Sequence, residues 1–420
     1  MTKVAIISHS HPMLKGGGGE VAAYRHFQYL RDQNIDAAFV GVAIEADTIA
    51  AIFAPDQSIL QLGESDFCMR ATGMDSFTME HDRAQDEDAV LNFLLALNAD
   101  VYHFHHFWNI GAGTIRRLRR ARPKARLICT LHEMTAICAN HGQMIKTGSG
   151  ELCNAASPLA CAGCFPEHNA LDFVMRRRRM IELIEQFDEL IAPSHFLAKR
   201  FEAWGVEPGR VHVLENGIDL DVNYDINQFD RSDQSRRFAF FGQATPTKGL
   251  DILMRSARWI KSQKNKTDLS IDVFGVTRAR FDEMWPNEKV PESLIRFRGR
   301  YRAADAVDLM SRYGWIIIPS VWWENSPVVI QEARLANSPV IASNIGGMKE
   351  KVEGWGHLFE VGNPAALGQK ILELAGNEDC LEQSRKKMSA PLNLTEYSEI
   401  WNKIVYPVTC INSKIGSGRK

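Results

Sequence analysis

Two carboxylates, Glu324 and Glu332, flank a stretch of chain in which a helix is expected to begin. They follow the apolar run Trp315 to Pro319, which is typical of a buried strand. Ser326 is a favourable N-cap and Pro327 suits the first helical position, so the helix would start between the two carboxylates. Its free N–H groups could bind an anion, while Glu332 could accept hydrogen bonds from paired hydroxyls. The spacing indicates a site for a phosphorylated sugar, although two surface carboxylates beside a capped helix would give the same pattern.

A lysine follows another predicted strand. The run Phe241 to Gly249 leaves the strand Phe238 to Phe241 and leads into a predicted helix, Leu250 to Ile260. Lys248 would point into a ligand cleft and offset the charge that builds up on a departing diphosphate. A solvent-exposed loop lysine is the alternative.

The first half carries a glycine run and a histidine at strand ends. Gly16 to Gly19 would let backbone N–H groups approach a bound group closely, although a flexible turn would also use them. The run matches neither the dinucleotide fingerprint nor the Walker loop. His132 follows the predicted strand Leu127 to Leu131. There it could bond a sugar hydroxyl or assist proton movement, unless it is only structural.

Four cysteines crowd into a Gly- and Ser-rich segment and end in a Cys-x-x-Cys: Cys138, Cys153, Cys161 and Cys164. Four thiolates could close a tetrahedral zinc site that holds a loop lacking its own core. The first spacing differs from that of zinc fingers, so reduced thiols and a redox or iron–sulfur role remain alternatives.

Four consecutive arginines open a predicted helix: Arg176, Arg177, Arg178 and Arg179. They cover all sides of one turn, so some of them must face solvent. A solvated helix start is one interpretation. The other is a basic patch for acceptor phosphates or an anionic membrane surface, for example one carrying a polyprenyl diphosphate.

The elements that would position these residues alternate along the chain, which predicts parallel sheets covered by helices on both faces. The predicted strands of the first half are Val4–Ser8, Ala37–Gly41, Val101–Phe104, Leu127–Leu131, Glu189–Pro193 and Val211–Leu214; those of the second half are Phe238–Phe241, Ile271–Phe274, Trp315–Pro319 and Val340–Ser343. The polar stretch 219–237 between them is typical of a linker. The fold class is α/β, with two Rossmann-like domains facing each other across a cleft.

The domain boundaries follow from this pattern. Residues 1–220 would form an N-terminal acceptor domain with a cysteine-rich insert at about 138–165, and residues 221–385 a C-terminal donor domain. The stretch Asp379 to Trp401 is predicted to be one amphipathic helix, and 386–420 would cross back to the N-terminal domain. The tail after Ser413 is predicted to be disordered.

Composition bounds the class of protein. At 420 residues, the chain is too long for one ordinary core. The 49 Lys and Arg nearly balance the 51 Asp and Glu, so no global charge favours nucleic acid or membrane. No signal-like leader or long apolar run is present, so the expected location is cytoplasmic, including the inner face of the membrane if the arginines contact lipid.

Taken together, these motifs resemble the GT-B glycosyltransferases of the large retaining family four. The resemblance runs from Val4 to about Trp401 and rests on the glycine loop, His132, Lys248-Gly249 and the spacing of Glu324 and Glu332, with three further runs: Ala192-Pro193-Ser194, Asn216-Gly217-Ile218-Asp219 and Phe241-Gly242. It implies transfer of a sugar from a nucleotide diphosphate donor to a hydroxyl of a saccharide or lipid-linked saccharide, with retention, in polysaccharide or glycoconjugate assembly.

The resemblance also implies roles by position. Glu332 would bind the donor ribose, and Glu324, Asn325 and Ser326 would hold the sugar. Lys248 would bind the diphosphate, and His132 would lie close to the reacting sugar. The remaining donor contacts would come from Gly17, Gly18 and Gly19 at the phosphates, Gln243 beside the lysine, and Gly275 and Arg300 near the base.

One departure and several alternatives accompany this prediction. Many members place an arginine where this chain has Gln243, so the diphosphate would depend more on Lys248 and the helix dipole. No Asp-x-Asp stands at a predicted strand end, so no catalytic metal is implied. The alternatives are an epimerase or phosphorylase on the same architecture and a non-catalytic nucleotide-sugar-binding subunit or sensor.

Overall fold

The chain folds as two α/β units. The computed structural model describes residues 2–14, 16–44, 46–54, 57–219, 233–263 and 268–407. The first unit comprises residues 1–219 and 392–420, and the second comprises residues 220–391. Most of the predicted linker, 219–237, and the whole tail after Ser413 lie outside the described residues.

The first unit is built on a largely parallel sheet. The strands described in this unit are β1 (Lys3–Ser8), β2 (Asp36–Ala43), β3 (Ile59–Gly63), β4 (Asp66–Arg70), β5 (Met74–Asp75), β6 (Glu80–His81), β7 (Val101–His105), β8 (Arg126–Thr130), β9 (Glu189–Ala192) and β10 (Val211–Val213). Eight of them form one sheet in the order β10-β9-β8-β7-β1-β2-β4-β3, and β5 pairs with β6 separately. Only β3 runs antiparallel to its neighbour within that sheet of described strands.

Helices connect these strands. They are α1 (Gly18–Asp32), α2 (Ala46–Ile52), α3 (Ala84–Leu97), α4 (Ala112–Ala121), α5 (Pro158–Cys164), α6 (Ala170–Ile184) and α7 (His195–Trp204). The central strands β1 and β7 are buried along almost their whole length, as expected for parallel strands covered on both faces.

The second unit has a parallel sheet of its own. Its described strands are β11 (Arg237–Phe241), β12 (Ser270–Phe274), β13 (Ile295–Gly299), β14 (Trp315–Ile318), β15 (Val340–Ser343) and β16 (His357–Phe359), in the order β13-β12-β11-β14-β15-β16. Its helices are α8 (Leu250–Ser262), α9 (Arg278–Met284), α10 (Ala306–Met310), α11 (Val328–Leu335), α12 (Gly346–Val352), α13 (Pro364–Leu374) and α14 (Glu378–Lys387). The prediction of two Rossmann-like domains is confirmed.

The last described helix, α15 (Leu394–Val405), belongs to the first unit. The prediction of a single helix from Asp379 to Trp401 is wrong, because α14 ends at Lys387 and Pro391 precedes a new start. Asn393 and Glu396 form a reciprocal capping box at that start. Tyr397, Trp401 and Val405 of α15 then pack into the core around β1 and α1.

Candidate active site

The second unit gathers most of the predicted donor residues at one edge of its sheet. Because β11 to β14 are parallel, the loops that follow them leave at the same edge. Gln243 follows β11 and is exposed, Gly275 follows β12, and Arg300 follows β13 and is exposed. Gly275 has φ +89°, and a methyl group there would lie 2.2 Å from the Gly242 carbonyl oxygen, so glycine is required for this approach of two loops.

Lys248 and Glu324 form an ion pair at this edge. Lys248 Nζ lies 2.5 Å from Glu324 Oε1, although the residues are 76 positions apart. The Glu324 side chain is 9% exposed and that of Lys248 33% exposed. Ser320 Oγ donates a second hydrogen bond to the same carboxylate oxygen at 3.1 Å. The lysine is therefore held in place by a buried carboxylate that is itself supported.

The charge state of Glu324 follows from these contacts. Burial by itself would raise the pKa of Glu324, but the Lys248 ammonium, the hydrogen bond from that ammonium and the hydrogen bond from Ser320 together hold it below its ordinary value. Glu324 is therefore a carboxylate at neutral pH. A carboxylate bound this closely by a cation is suited to positioning the lysine and a sugar more than to nucleophilic attack.

The start of α11 differs from the prediction by one residue. Pro327 is the N-cap, with φ −61° and ψ 125°, and the helix begins at Val328. Ser326 therefore precedes the cap, and the predicted Ser326 N-cap is wrong. Proline suits both the N-cap and the first helical position, because its fixed φ near −65° occurs in extended backbone as well as in helices. Asn325 and Ser326 still lie in the loop between Glu324 and the helix start.

Glu332 lies in the second turn of α11 and is half-buried. It is close to Tyr301, which follows β13: burial and the Glu332 charge raise the pKa of the Tyr301 phenol to about 12. Tyr301 also packs edge-on against Phe241, with ring centroids 5.4 Å apart. The carboxylate that was predicted to bind the ribose therefore stands beside an aromatic group at the same edge of the sheet.

In the first unit, the glycine run forms the start of α1. Gly17 is the N-cap without a side-chain cap, and Gly18 and Gly19 lie in the first turn. A methyl group at Gly19 would lie 3.0 Å from Cγ of His132. The absence of a side chain at Gly19 thus lets the helix start pack directly against the His132 ring, joining two of the residues singled out in the sequence.

His132 is held by another histidine. Its Nε2 lies 3.0 Å from Nδ1 of His105, and the two rings are stacked. Burial and the neighbouring His9 lower the pKa of His132 to about 4, against the opposing effect of Glu20. His132 is therefore a neutral imidazole at pH 7, able to accept or donate a hydrogen bond but not to supply positive charge.

A cavity of about 430 Å³ opens next to His132 in the same unit. Its polar lining includes His9, Glu20, His106, Glu133 and His141, together with the ring of Trp108. His9 Nε2 lies 3.0 Å from Glu20 Oε1. Burial by itself would lower the pKa of His9 and raise that of Glu20. The interaction between the two groups outweighs burial, so the pKa of His9 is raised and that of Glu20 is lowered. The volume lies within the usual range for small-molecule sites, about 300–1,000 Å³.

Glu133 gives this cavity a second, differently tuned carboxyl group. Burial raises the pKa of Glu133 to about 7, against hydrogen bonding from Thr135 and the charge of His9. Glu133 contacts His106, and burial lowers the pKa of the His106 imidazole. The cavity therefore offers one ionised carboxylate, one carboxyl group near its pKa and several imidazoles, all groups that can bond hydroxyls.

The arginine run divides in the structure. Arg176 is 3% exposed, and its guanidinium donates to the carbonyl oxygens of Thr135 and Ala136 at 2.6 Å. Its predicted contact with a membrane or acceptor is therefore wrong. Arg177 donates to the carbonyl of Trp204, Arg178 pairs with Glu182, and Arg179 is exposed. Only the outer part of the run is available to a partner.

Several site residues have no obvious signal in the sequence. Ser320 and Gly347 support Glu324: Gly347 N–H donates to the Glu324 carbonyl at 2.8 Å, and a methyl group at Gly347 would clash with the Asn325 carbonyl. Glu20 and Glu133 sit next to Gly19 and His132, so proximity to predicted residues could have indicated them.

Comparison with known proteins agrees with this architecture. The model of Glycosyltransferase Family 4 matches residues 16–222, and that of Glycosyl transferases group 1 matches residues 235–377. A D-inositol 3-phosphate glycosyltransferase of Mycobacterium sp. (strain JLS) is 23% identical over 380 residues, covering 82% of this chain and 76% of that protein. The glycosyltransferase MJ1178 of Methanocaldococcus jannaschii is 29% identical over 196 residues, 46% of this chain and 51% of that protein.

Solved structures share the fold. Anabaena Alr3699/HepE in complex with UDP and glucose aligns with a TM-score of 0.60 at 17% identity, covering 99% of this chain and 98% of that one. A point mutant of S. aureus TarM in complex with Fondaparinux, alpha-GlcNAc-glycerol and UDP aligns with a TM-score of 0.63 at 12% identity, covering 96% of this chain and 100% of that one. With two family models matched in succession along both units, the chain belongs to the GT-B glycosyltransferases of family 4.

Proposed function

We propose that this protein transfers a sugar from a nucleotide diphosphate sugar to a hydroxyl of a saccharide or lipid-linked saccharide, with retention of anomeric configuration, in polysaccharide or glycoconjugate assembly. The observation that carries the proposal is the Lys248–Glu324 pair at the carboxyl edge of the second sheet, directly before the helix that bears Glu332. Lys248 would stabilise the charge of the departing diphosphate, and Glu332 would accept hydrogen bonds from the ribose hydroxyls.

The retaining step is best explained by attack from the side of the leaving group. In that route the departing phosphate oxygen takes the proton of the incoming hydroxyl, the bond from the anomeric carbon to the diphosphate breaks, and the new glycosidic bond forms on the same face. Glu324, the carboxylate expected to lie beside the sugar, is bound by Lys248 and Ser320, which makes it a poor nucleophile. Electrostatic stabilisation by Lys248 therefore carries more weight in this proposal than covalent catalysis.

The acceptor would occupy the cavity of the first unit. Its imidazoles and carboxyl groups can bond several hydroxyls, and Trp108, which also lines the cavity, would pack against the C–H groups of a sugar. His132, neutral at pH 7, would bond a hydroxyl of the reacting sugar. A saccharide fits this lining better than an apolar acceptor.

A nucleotide titration tests the donor site. Melting temperature would be followed with UDP, GDP, ADP and dTDP for the wild type and Glu332→Ala. A nucleotide at 100 times its Kd should add about 2.7 kcal/mol to the free energy of unfolding of the wild type. We expect one base to give this shift and Glu332→Ala to lose most of it, because the ribose hydroxyls lose their acceptor.

The control is Glu373→Ala, which changes an exposed carboxylate in the last turn of α13. It should keep the nucleotide shift. Absence of a shift with every nucleotide in the wild type would contradict the donor site. A shift without turnover of the matching nucleotide sugars would favour the non-catalytic sensor, for which exposed Gln243 in place of an arginine is the supporting observation.

We also propose that the outer face of α5 and α6 touches an anionic membrane that carries the acceptor. Helix α6 exposes Leu171 (65%), Val174 (47%) and Met175 (42%), and α5 exposes Leu159 (82%). Positions 171, 174, 175 and 178 follow one face of a helix, so these apolar side chains lie next to the exposed Arg178. Within the described residues, every helix is too short or too polar to span a bilayer.

Vesicle binding tests this face. Each basic residue near an anionic surface contributes about 1 kcal/mol, so Arg178→Ala with Arg179→Ala should weaken binding to phosphatidylserine vesicles about 30-fold. Phosphatidylcholine vesicles should bind weakly in both cases. Lys261→Ala, an exposed cation of the second unit, is the control. Equal binding of the double variant and the wild type to anionic vesicles would contradict the contact.

A further inference from the structure

The segment that carries four cysteines folds without a core of its own. A hairpin is closed by the antiparallel bridge between Ile145 and Leu152, and Cys153 follows it. Helix α5 bears Cys161 and ends at Cys164, and it has no buried residue. A helix of seven residues is far too short to be stable by itself, so contacts of another kind must hold it.

The four thiols lie together in this segment. The Cys161 thiol interacts electrostatically with those of Cys138, Cys153 and Cys164, and Cys138 also interacts with Cys153. All four are half-buried and free of disulfides. The hairpin is tied to the helix by a hydrogen bond from Thr147 Oγ1 to the Cys164 carbonyl at 2.5 Å. Chain segments separated in sequence thus bring four cysteines into one neighbourhood.

Positive charges surround this cluster. Arg176 lies near Cys138 and Cys161, Arg200 near Cys153, and Lys146 near Cys153 and Cys164. Arg176 is buried, and its hydrogen bonds go to two backbone carbonyls. The carboxylates of Glu133 and Asp75 also act on this guanidinium. Four neutral thiols add no further negative charge, whereas four thiolates around a divalent cation carry a net charge of −2.

We propose that Cys138, Cys153, Cys161 and Cys164 bind one structural Zn²⁺ ion. Four sulfur ligands select zinc in tetrahedral geometry, with Zn–S distances of about 2.3 Å. Binding replaces four S–H bonds by four Zn–S bonds and releases the protons to solvent, without any redox step. The sulfurs must draw closer together around the ion, since no three of them lie within 4.8 Å of one another. Among the described residues, one group of three histidines does have its ring nitrogens that close.

That histidine group does not compete as a metal site. It consists of His26, His103 and His105, all buried. His103 already uses both ring nitrogens: Trp401 Nε1 donates to Nδ1 at 3.1 Å, and Nε2 lies 2.7 Å from Thr130 Oγ1. The four cysteines, by contrast, offer four sulfur ligands, have cationic side chains nearby and lie in a segment that lacks a core of its own.

The zinc ion would stabilise the wall of the acceptor cavity. Cys138 accepts a hydrogen bond from Gly142 N–H through its carbonyl, which closes the turn that carries His141. His141 and Thr135 line the cavity, and Arg176, which lies near Cys138 and Cys161, donates a hydrogen bond to the Thr135 carbonyl. The ion would also fix α5, whose Leu159 belongs to the proposed membrane face, so this role rests on the proposed function while the metal site itself does not.

Metal analysis of the full chain, purified without chelator from zinc-supplemented cells, tests the site. We expect one zinc per chain in the wild type and background zinc in Cys161→Ser and Cys164→Ser. Cys380→Ser, a half-buried cysteine of the second unit, is the matched control and should keep the zinc. Replacement by Co²⁺ in the wild type should give thiolate-to-cobalt absorption and the visible bands of a tetrahedral site.

Each alternative has its own result. Wild-type protein free of metal with four reactive thiols would overturn the proposal, as would bound iron with inorganic sulfide. Because the serine variants could fail to fold, the wild type alone is decisive: a mercurial reagent should release one zinc as four thiols react. Nucleotide-induced stabilisation should persist in the zinc-free protein, which separates failure of this site from failure of the donor site.

Discussion

Replacing Lys248 with methionine is expected to lower kcat about 10²- to 10³-fold, the usual loss when one charge-stabilising donor is removed from a preorganised site. Methionine keeps much of the length of the side chain but removes the ammonium that lies 2.5 Å from Glu324. The diphosphate would then leave without a cation, a function that Gln243 cannot replace because it is neutral. Steady-state turnover of the nucleotide sugar identified by titration measures the effect.

The same variant should also change stability. Glu324 would remain buried without its cation, and losing one partner of a fully buried pair costs about 3–5 kcal/mol. Since the Lys248 side chain is 33% exposed, we expect the free energy of unfolding to fall by about 2 kcal/mol. The double variant Lys248→Met with Glu324→Gln should recover most of this stability but none of the activity. Lys261→Met, which removes an exposed lysine of the same unit, should change neither property.

A wild-type turnover rate in Lys248→Met would contradict the assigned role. Recovery of activity in the double variant would show that the lysine acts only by neutralising Glu324. The two readouts therefore separate a lysine that stabilises the leaving group from one that is merely part of the fold.

Gly249→Ala is expected to destabilise the second unit by about 4 kcal/mol or more, the range reached by only a few kinds of single substitution. Gly249 has φ +68°, and a methyl group there would lie 1.9 Å from the carbonyl oxygen of Pro319. The backbone is held at both residues, since Gly249 directly precedes α8 and Pro319 directly follows β14. Relief would require the two loops to separate, and Lys248 would then move away from Glu324.

Gly362→Ala is the control for backbone strain. Gly362 has a nearly identical φ of +70°, but nothing lies within 4 Å of the added methyl group. Its cost should be about 1–2 kcal/mol, the left-handed penalty alone. Chemical denaturation of both variants measures the difference. Equal destabilisation would show that the approach of Gly249 to Pro319 is not constrained.

The sequence was sufficient to predict that Lys248 and Glu324 share one edge of the second sheet, because parallel topology has few solutions. Lys248 and Glu324 follow predicted strands, and parallel strands bring the loops at their carboxyl ends together at one edge, so residues 76 positions apart meet. The strands themselves are readable because those at the centre of a parallel sheet are continuous apolar runs, such as Trp315–Ile318. The strands that were not predicted lack this pattern: β13 alternates exposed Arg296 and Arg298 with apolar residues at the sheet edge.

What could not be predicted depends on tertiary contacts between side chains. Arg176 looks the same in the sequence as its three neighbours, yet it is the one that faces inward to the carbonyls of Thr135 and Ala136. Helical periodicity selects one residue of four for the buried side but does not say which without the packing partner. The same holds for Glu133, whose pKa of about 7 comes from burial that only the fold creates.

The return of the chain to the first unit has a consequence for its biosynthesis. His103, in the middle of the first sheet, receives its hydrogen bond from Trp401, 298 positions later. A ribosome that has added residue 219 has therefore synthesised every described strand of that sheet but not the aromatic side chains that complete its core. The core of the first unit therefore stays incomplete until the second unit has been translated. Because synthesis proceeds from the N-terminus, both units complete their folding at nearly the same time.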